Sequence, residues 1–399
     1  MELVFTADFH ANFLGGSAAI VALERARSCG SLTLDTGDFL AEGFVSSRIA
    51  PPSLESLQNQ LFDALCPGNH GFGQAIRSPQ ALCCNLHAST GPGCASWRIE
   101  ERDGLRIGLT GIIGLGAFSA ISLSERQGWS ASEPHGALNE ACRQMRIKGV
   151  DQIIVLSHSG FEEDIALAKN APNVTAILSG HCHSPNMVHR EGTILIAKAP
   201  ELGAGIARLK LDAYGVRSLD VMFFAPEEAA TADSVVLAPI ADALVQVQKE
   251  AQEVLGLQTA SRLSRNRDRE AQLVDLVKTI SQIHGGKRIL INRHVFRELP
   301  TGPELTQLAI HTFIPFDNEI VEVVIPARKL ATDFSALERE WVLDAGPAAG
   351  VDGTHFLTTD YLAQNLFGLM PGAYRSLGQL RKVVTDILTI WDHQLPPKV

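Results

Sequence analysis

The sequence lacks three features that would assign it to specialised classes of protein. No apolar run approaches the roughly 20 residues of a transmembrane helix, so we expect no membrane span. No long basic stretch occurs and the formal net charge is −10, which argues against a nucleic-acid polymer or an anionic membrane as partner. We expect no targeting segment, because residues 1–6 lead directly into the first predicted strand. These absences favour a globular protein with a small partner.

The seven cysteines do not have the spacing of a disulfide framework, and their number is odd. Cys83 and Cys84 are adjacent, and Cys182 lies within a histidine-rich motif, where an oxidising compartment would endanger it. Cysteine thiols persist in reducing compartments. We therefore expect a cytoplasmic protein.

Five short polar motifs each follow an apolar run that is typical of a buried strand. The runs occupy residues 3–5, 32–34, 61–65, 153–156 and 176–178. In open α/β sheets, ligands bind outside the carboxyl ends of the strands, so motifs that are distant in sequence would converge on one cleft. The motifs are Asp8-Phe9-His10, Gly37-Asp38, Gly68-Asn69-His70, His158 and Gly180-His181-Cys182-His183.

Each motif taken alone has an ordinary explanation. Gly-Asp is a common turn, and a single histidine such as His158 is more often a hydrogen-bonded structural residue than a ligand. The joint pattern differs, because it supplies carboxylate, amide and imidazole groups in numbers sufficient for two metal ions. Such ligands suit Mn, Zn, Fe or Co, and the lack of thiolates at the key positions argues against a structural zinc site. The two oxygens of Asp38 could bridge a pair of cations.

The order of these motifs resembles the calcineurin-like metallophosphoesterase superfamily, over roughly residues 1–225. Gly15-Gly16-Ser17-Ala18 and Ser184-Pro185 resemble its 5′-nucleotidase branch. The resemblance implies an α/β fold, with an α/β/β/α four-layer core of mixed sheets and a second, smaller α+β domain. It further implies a dimetal-dependent phosphomonoesterase that hydrolyses a nucleotide or related small phosphorylated metabolite by metal-hydroxide attack.

The resemblance also implies roles for individual residues around two divalent metal ions. One ion would be held by Asp8, His10, Asp38 and His183, and the other by Asp38, Asn69, His158 and His181. His70 would be the catalytic acid that stabilises the transition state or protonates the leaving alkoxide.

The residues after His70 depart from the 5′-nucleotidase pattern. That branch usually has Glu-Phe-Asp after Gly-Asn-His, and its aspartate orients the histidine, whereas this chain has Gly71-Phe72-Gly73. An imidazole is tuned by the partner on its other nitrogen. We therefore expect His70 to be less firmly held and less basic, which affects the rate more than the reaction class.

The second half of the chain more distantly resembles the substrate-binding domain of the same branch. By this resemblance, Phe316 and Tyr361 would stack on the two faces of a nucleobase. For either ring alone, packing in the core is the alternative, and for Arg267 it is a solvated basic run. The remaining candidate substrate contacts are Arg267, Asn292, Arg297 and Asn318.

Glycine-rich loops of the family are replaced here by larger residues. Because glycine lets the backbone approach a ligand closely, we expect a reshaped, tighter pocket and a substrate choice that has drifted from ordinary nucleoside 5′-monophosphates. The replacements are Arg293, His294, Val295, Leu366 and Phe367.

The length of 399 residues exceeds what one core usually holds and predicts more than one domain. Residues 226–231 are polar or small, and Pro239 opens a helical pattern that Gly256 closes. We predict a catalytic domain at residues 1–225, a linker and connecting helix at 226–256, and a substrate-binding domain at 257–399.

Three alternatives to a phosphomonoesterase remain open. A phosphodiesterase acting on a cyclic nucleotide or similar compound could use the same metal site. A branch of similar architecture hydrolyses sulfur compounds. A catalytically weak binding or regulatory protein of the same fold is favoured by Gly73 and the altered second domain, although every predicted metal ligand is present.

Overall fold

The computed structural model describes residues 1–41, 43–171, 174–182, 184–224, 234–255, 269–297, 305–326, 342–345 and 354–393. The chain divides into two compact units: unit 1 comprises Met1–Ile121 and Glu125–Val245, and unit 2 comprises Ser122–Ser124 and Gln246–Val399. The main division, at Val245 and Gln246, falls inside the segment 226–256 that the sequence predicts as a connection. The predicted domain bounds themselves stay a prediction. Among the described residues, no helix combines the length and the apolar character needed to cross a bilayer.

Unit 1 contains thirteen strands among its described residues. They are β1 Glu2–Thr6, β2 Leu32–Asp35, β3 Ala64–Leu65, β4 Leu86–Ala88, β5 Trp97–Arg102, β6 Leu105–Ile113, β7 Trp129–Ala131, β8 Gln152–His158, β9 Ala176–Ser179, β10 Val188–Glu191, β11 Ile194–Lys198, β12 Gly205–Asp212 and β13 Gly215–Phe223. One sheet has the order β13-β12-β1-β2-β3, a second has the order β10-β11-β9-β8-β6-β5, and β4 pairs with β7.

Helices flank these sheets. They are α1 Ser17–Ser28, α2 Pro51–Leu61, α3 Phe72–Ala75, α4 Leu115–Ala120, α5 Pro134–Ile147, α6 Phe161–Ala168 and α7 Ala241–Ala251, with short 3-10 helices at Ser46–Arg48 and Ala238–Ile240. Helix α7 crosses the division between unit 1 and unit 2. The sequence predicts a connecting helix that Gly256 closes, whereas α7 ends at Ala251, before Val254.

The core of unit 1 has two apolar layers, because its central strands are buried on both faces. Phe5 and Leu34 of the first sheet pack with Leu109 and Leu156 of the second sheet between the two sheets. On the outer face of the second sheet, alternate residues such as Val155 pack with residues of α5 and α6. Helix α1 covers the first sheet. The order helix, sheet, sheet, helix confirms the α/β four-layer core that the resemblance implies.

The parallel strands place their carboxyl ends at one edge of each sheet. Strand β1 runs parallel to β2 and β2 to β3, while β6, β8, β9 and β11 are mutually parallel neighbours in the second sheet. All five polar motifs follow or end one of these strands. One run differs from expectation: in the stretch 61–65, Leu61 ends α2 and only Ala64–Leu65 is strand.

Unit 2 has one sheet with helices on both faces. Its described elements are α8 Arg269–Ile283, β14 Ile289–Asn292, a 3-10 helix at Arg293–Val295, α9 Gln307–Phe313, β15 Glu319–Ile325, β16 Val342–Ala345, β17 Thr354–Thr359, α10 Asp360–Asn365, β18 Arg375–Gln379 and α11 Leu380–His393. The strand order is β16-β14-β17-β15-β18. Ile289 and Ile291 of β14 pack on the side of α8 and α11, and Leu290 packs on the side of α10. This arrangement confirms a second, smaller domain of mixed α and β structure.

We expect Gly111→Ala to destabilise unit 1 by at least about 3 kcal/mol. Gly111 lies in β6, and a Cβ at this position would lie 1.8 Å from the carbonyl oxygen of Leu82, which is backbone and cannot rotate away. Gly116 in α4 is the matched control, because a Cβ there meets nothing within 4 Å. Gly116→Ala should be neutral or stabilising by up to about 1 kcal/mol. Denaturant unfolding measures both, and equal free energies of unfolding for the two variants would contradict the packing described.

Candidate metal centre

Backbone pairing continues past the ends of β1 and β2 and brings the first two motifs together. The amide of Asp8 donates to the carbonyl of Gly37 at 3.2 Å, and the amide of His10 donates to the carbonyl of Asp38 at 2.8 Å. The carbonyl of Asp8 accepts from the amide of Leu202 at 2.8 Å. The loop that carries Asp8 and His10 is therefore fixed on two sides by backbone hydrogen bonds.

The carboxylate of Asp38 is buried at the centre of the motifs. Its Oδ1 accepts a hydrogen bond from the backbone amide of His70 at 2.8 Å and lies 3.3 Å from Nε2 of His158. Its Oδ2 lies 3.8 Å from Nε2 of His10. Each carboxylate oxygen therefore faces a different imidazole, as a carboxylate shared between two cations would require.

His158 ends β8 with its side chain fully buried, and its orientation is fixed from behind. Its Nδ1 lies 2.9 Å from the carbonyl oxygen of Thr36, so Nε2 points at Asp38 and at Oδ1 of Asn69, which is 3.1 Å away. The same Asn69 oxygen lies 2.9 Å from Nδ1 of His181. A carbonyl behind one ring nitrogen is the usual arrangement for a metal-binding imidazole.

Asp8 connects the first sheet to the last motif. Its two carboxylate oxygens lie 2.9 and 3.1 Å from the backbone nitrogen of His181, which donates to them. The side chain is 1% exposed. A buried carboxylate needs strong partners, and one backbone amide supplies only part of that requirement.

The electrostatics of the site favour added positive charge. Burial raises the pKa of the Asp8 carboxyl to about 6, with Asp38 adding to the rise and His158 opposing it. Burial also acts to raise the pKa of Asp38, but His158, His70 and His10 outweigh it and hold that pKa well below its usual range. Burial lowers the pKa of His158, yet Asp38 and Asp8 outweigh burial and raise it to about 9. Without cations, a protonated His158 compensates the carboxylates, and divalent ions would supply the same compensation more completely.

Backbone strain is concentrated at the predicted ligands. Asp8, His10, Asp38 and His181 have φ values of 49°, 50°, 57° and 78°, all in the left-handed region that residues with a Cβ rarely adopt. Each such residue costs roughly 1–3 kcal/mol and persists only where the surrounding contacts enforce it. The clustering of strained residues at one place is an independent reason to regard it as a functional site.

Two glycines of the motifs are required by close approach. A Cβ on Gly68 would lie 1.9 Å from Oδ1 of Asp38, and one on Gly37, whose φ is +107°, would lie 2.3 Å from Nδ1 of His158. Any larger residue would push these side chains apart. The glycines in Gly-Asp and Gly-Asn-His therefore make room for the carboxylate and the imidazole.

The structure brings together every predicted metal ligand that it describes. Among the described residues, two clusters of possible ligands share Asp38, and within each cluster the ligand atoms lie within 4.8 Å of one another. One cluster adds Asp8 and His158 to Asp38, and the other adds His10 and His70. Asn69 and His181 join the first cluster through the contacts given above. His183 lies outside the described residues. The division of ligands between two ions stays a prediction.

His70 lies on the His10 side of Asp38, with ring centroids of the two histidines 5.2 Å apart. Position 73, where the family's orienting aspartate is missing, is open: a Cβ there would meet only Arg77 Nη1 at 3.6 Å and Glu125 Oε1 at 3.9 Å within 4 Å. Glu125 thus brings a carboxylate beside the place of the missing one. No sequence signal connected Glu125 with position 73.

In unit 2, the described substrate-contact candidates lie at one end of the sheet. Asn292 ends β14, which runs parallel to β17, and Tyr361 is the second residue after β17. Asn318 precedes β15, which is antiparallel to β17 with Ile320 opposite Thr359. The guanidinium of Arg297 lies over the ring of Phe316, 5.5 Å from its centroid. Arg267 lies outside the described residues.

Some replacements of the family's glycines are absorbed by the core of unit 2. Val295 is fully buried, and Phe367 is 1% exposed and packs edge-on against Phe356. Their bulk therefore fills the core, and the expected tightening of a pocket depends on Arg293, His294 and Leu366.

Sequence reasoning missed three groups that support the site. The carbonyl of Thr36 orients His158. Asp164 of α6 is buried and accepts from the hydroxyl of Ser157 at 2.5 Å, beside His158, and burial raises its pKa to about 7. Lys198, 2% exposed at the end of β11, donates to the carbonyl of Ser184 at 3.1 Å and lies 3.5 Å from Oε2 of Glu201. A lone lysine or aspartate after an apolar run is too common to have been singled out.

Comparison with known proteins agrees with this fold. No family model matches the chain. The "Probable 5′-nucleotidase" of Treponema pallidum is 31% identical over 189 residues, covering 43% of this chain and 31% of that protein. The chain matches about a third or less of the length of its curated relatives.

Solved structures share the fold over nearly the whole chain. A 5′-nucleotidase precursor from Thermus thermophilus has a TM-score of 0.74 at 18% identity, covering 98% of this chain and 96% of that one. The sulfate thiohydrolase SoxB of Thermus thermophilus has a TM-score of 0.68 at 16% identity, covering 96% and 81% of the two chains. These similarities show that the chain shares the two-domain α/β fold of 5′-nucleotidases.

We expect purified protein to carry close to two metal ions and Asp38→Ala to lose most of both, because each oxygen of this carboxylate faces a different imidazole. Elemental analysis after dialysis gives the metal content. Asp220→Ala is the control, since Asp220 is exposed on β13. Two equivalents of metal retained by Asp38→Ala would refute the shared-ligand assignment.

Proposed function

We propose that the chain is a dimetal-dependent phosphomonoesterase that acts on a nucleotide or a related small phosphorylated metabolite. This proposal rests on one observation, that five predicted ligands converge on one buried point at the carboxyl ends of strands from two sheets. They are Asp8, Asp38, Asn69, His158 and His181. The fold shared with 5′-nucleotidases supports phosphate esters as the substrate class.

The residues present fit a pair of divalent cations. The carboxylates, the amide oxygen and the imidazole nitrogens are hard or borderline ligands, so Mn, Zn, Fe and Co are all compatible with them. Asp8, Asp38, Asn69, His158 and His181 would hold them together with His10 and His183. When bound, the cations would neutralise charge on the phosphoryl oxygens and lower the pKa of a water molecule at the site.

His70 is the candidate general acid. Its backbone amide donates to the carboxylate of Asp38, and its ring lies beside the ring of His10. A ring nitrogen of His70 lies within 4.8 Å of a carboxylate oxygen of Asp38. From this position the imidazolium can donate a proton to the leaving oxygen, or a hydrogen bond to a phosphoryl oxygen as charge develops.

Unit 2 is proposed to recognise the organic part of the substrate. Phe316 and Tyr361 are both partly exposed at the same end of the sheet, and Arg297 adds a cation beside Phe316. Stacking of a planar base on such a ring contributes roughly 1–3 kcal/mol per base. The partner is therefore a small phosphorylated molecule with a planar group.

We expect His70→Ala to keep its metal content and to slow turnover by about 10²-fold or more, because the proton donor is removed while the described ligand contacts remain. Steady-state kinetics with an aryl phosphate and elemental analysis measure the two properties. His87→Ala is the matched control, because His87 is exposed on β4 and its ring contacts the hydroxyl of Ser132. Wild-type turnover in His70→Ala would show that His70 has only a structural role.

We expect unequal catalytic efficiencies for AMP, GMP, UMP and a panel of non-nucleotide phosphates, with common nucleotides penalised by the altered loops. On the best substrate, Phe316→Ala should reduce catalytic efficiency by about tenfold through a higher KM. Tyr214→Ala is the control, since Tyr214 is 89% exposed in unit 1.

Efficient and nearly equal turnover of the common nucleotides would contradict the drift in substrate choice. An unchanged KM in Phe316→Ala would contradict the stacking role. Preference for a diester or for a sulfur compound over every monoester would transfer the proposal to those reactions, and full metal content without turnover would favour a binding protein.

A further inference from the structure

The loop that presents Phe316 is held by a residue that no motif indicates. Residues 314–318 connect α9 to β15 and belong to no helix or strand. Arg381, in the first turn of α11, extends its guanidinium into the loop. Its side chain is 11% exposed.

The guanidinium of Arg381 contacts four consecutive residues of the loop. Its Nε donates to the carbonyl of Ile314 at 2.9 Å, and its Nη2 donates to the carbonyls of Pro315 at 3.2 Å and Phe316 at 3.1 Å. Its Nη1 donates to Oδ1 of Asp317 at 2.6 Å. The carbonyls of three successive residues therefore point at one cation, which curls the loop around the guanidinium.

The anchor of Arg381 is itself rigid. Helix α11 is fixed in the core of unit 2 by Leu380, Val384 and Ile387, all buried. The amide of Leu380 donates to the carbonyl of Asn318 at 2.9 Å, which fixes the end of the loop beside the helix. Arg381 therefore fixes the backbone of Phe316 relative to a helix that is packed in the core.

The other candidate contacts are joined to the same loop. The amide of Arg297 donates to the carbonyl of Phe313 at 2.8 Å, just before the loop. The carboxylate of Asp360 accepts from the amides of Glu319 at 3.0 Å and Tyr361 at 2.9 Å, just after the loop. The position of the loop therefore determines how Phe316 stands relative to Arg297 and Tyr361.

We propose that Arg381 is a positioning residue for substrate recognition, which fixes the Phe316 ring for stacking without contacting the substrate. This inference rests on the proposed function, in which Phe316 binds a planar group. Only a planar guanidinium with several donors can satisfy three carbonyls and a carboxylate together, so a lysine with one ammonium group cannot replace it.

The test is a double-mutant cycle between Arg381→Met and Phe316→Ala, measured with AMP. We expect Arg381→Met to raise the KM about tenfold in the wild-type background. In the Phe316→Ala background, the same substitution should change the KM by less than about twofold, because the ring that it positions is gone. Arg381→Lys should lie between Met and wild type, since it keeps the charge but carries its donors on a single nitrogen.

Two further measurements separate positioning from general damage. Inorganic phosphate, which has no ring, should inhibit all variants with a Ki within about twofold of wild type. Amide hydrogen exchange at residues 316–318 should be faster in Arg381→Met and Arg381→Lys than in wild type. Lys382→Met is the matched control, because Lys382 is the next residue, is 71% exposed and pairs with Asp386 in the same helix.

The outcomes distinguish this inference from the proposed function. An equal effect of Arg381→Met in both backgrounds, or none in either with Phe316→Ala impaired, would overturn the positioning role. If the Met variant does not fold, Arg381→Lys alone decides: a wild-type KM and wild-type exchange would overturn the role. If wild type with bound metal does not hydrolyse AMP, the nucleotide proposal fails. Adenosine binding and exchange then decide the role of Arg381, with unchanged values overturning it.

Discussion

Four groups from distant parts of the chain meet the buried carboxylate of Asp38: the amide of His70 and the rings of His10, His70 and His158. Burying a carboxylate is costly unless it is paired and hydrogen-bonded. The loops that carry these partners must therefore pack closely around Asp38. This packing places Asp8, His10 and Asp38 in strained, left-handed backbone conformations. The same arrangement leaves excess negative charge at the centre, which suits divalent cations.

The two-sheet core makes this closure possible. Apolar residues between the sheets fix their separation, so the carboxyl ends of β1 and β2 face those of β8 and β9 across a constant distance. Behind the site, the carbonyl of Thr36 and the carboxyl of Asp164 hold the ends of neighbouring strands. The reactive side chains are therefore positioned by rigid elements and not by mobile loops.

Unit 2 follows a different principle. Its candidate contacts stand on short segments after strands, and single side chains hold those segments: Arg381 before β15 and Asp360 after β17. The departures from the family's glycine loops are divided between core and surface, since Val295 and Phe367 are buried while His294 is exposed. Substitutions on such a surface would leave the candidate metal centre of unit 1 unchanged.

The sequence by itself determined the metal motifs, because a strand followed by Asp, Asn or His at its carboxyl end has few other uses when the pattern recurs five times. The order of these motifs also predicted the four-layer fold, because it resembles the order found in the calcineurin-like metallophosphoesterases. Tertiary structure alone decided which groups stand beside one another: the Asn69 oxygen between His158 and His181, Glu125 beside Gly73, and Arg381 beneath Phe316. These contacts join residues between 52 and 112 positions apart, or end in backbone carbonyls, and neither kind leaves a local spacing in the sequence. The burial of Phe367 was missed for the same reason, since it depends on how the segment after α10 packs on the sheet.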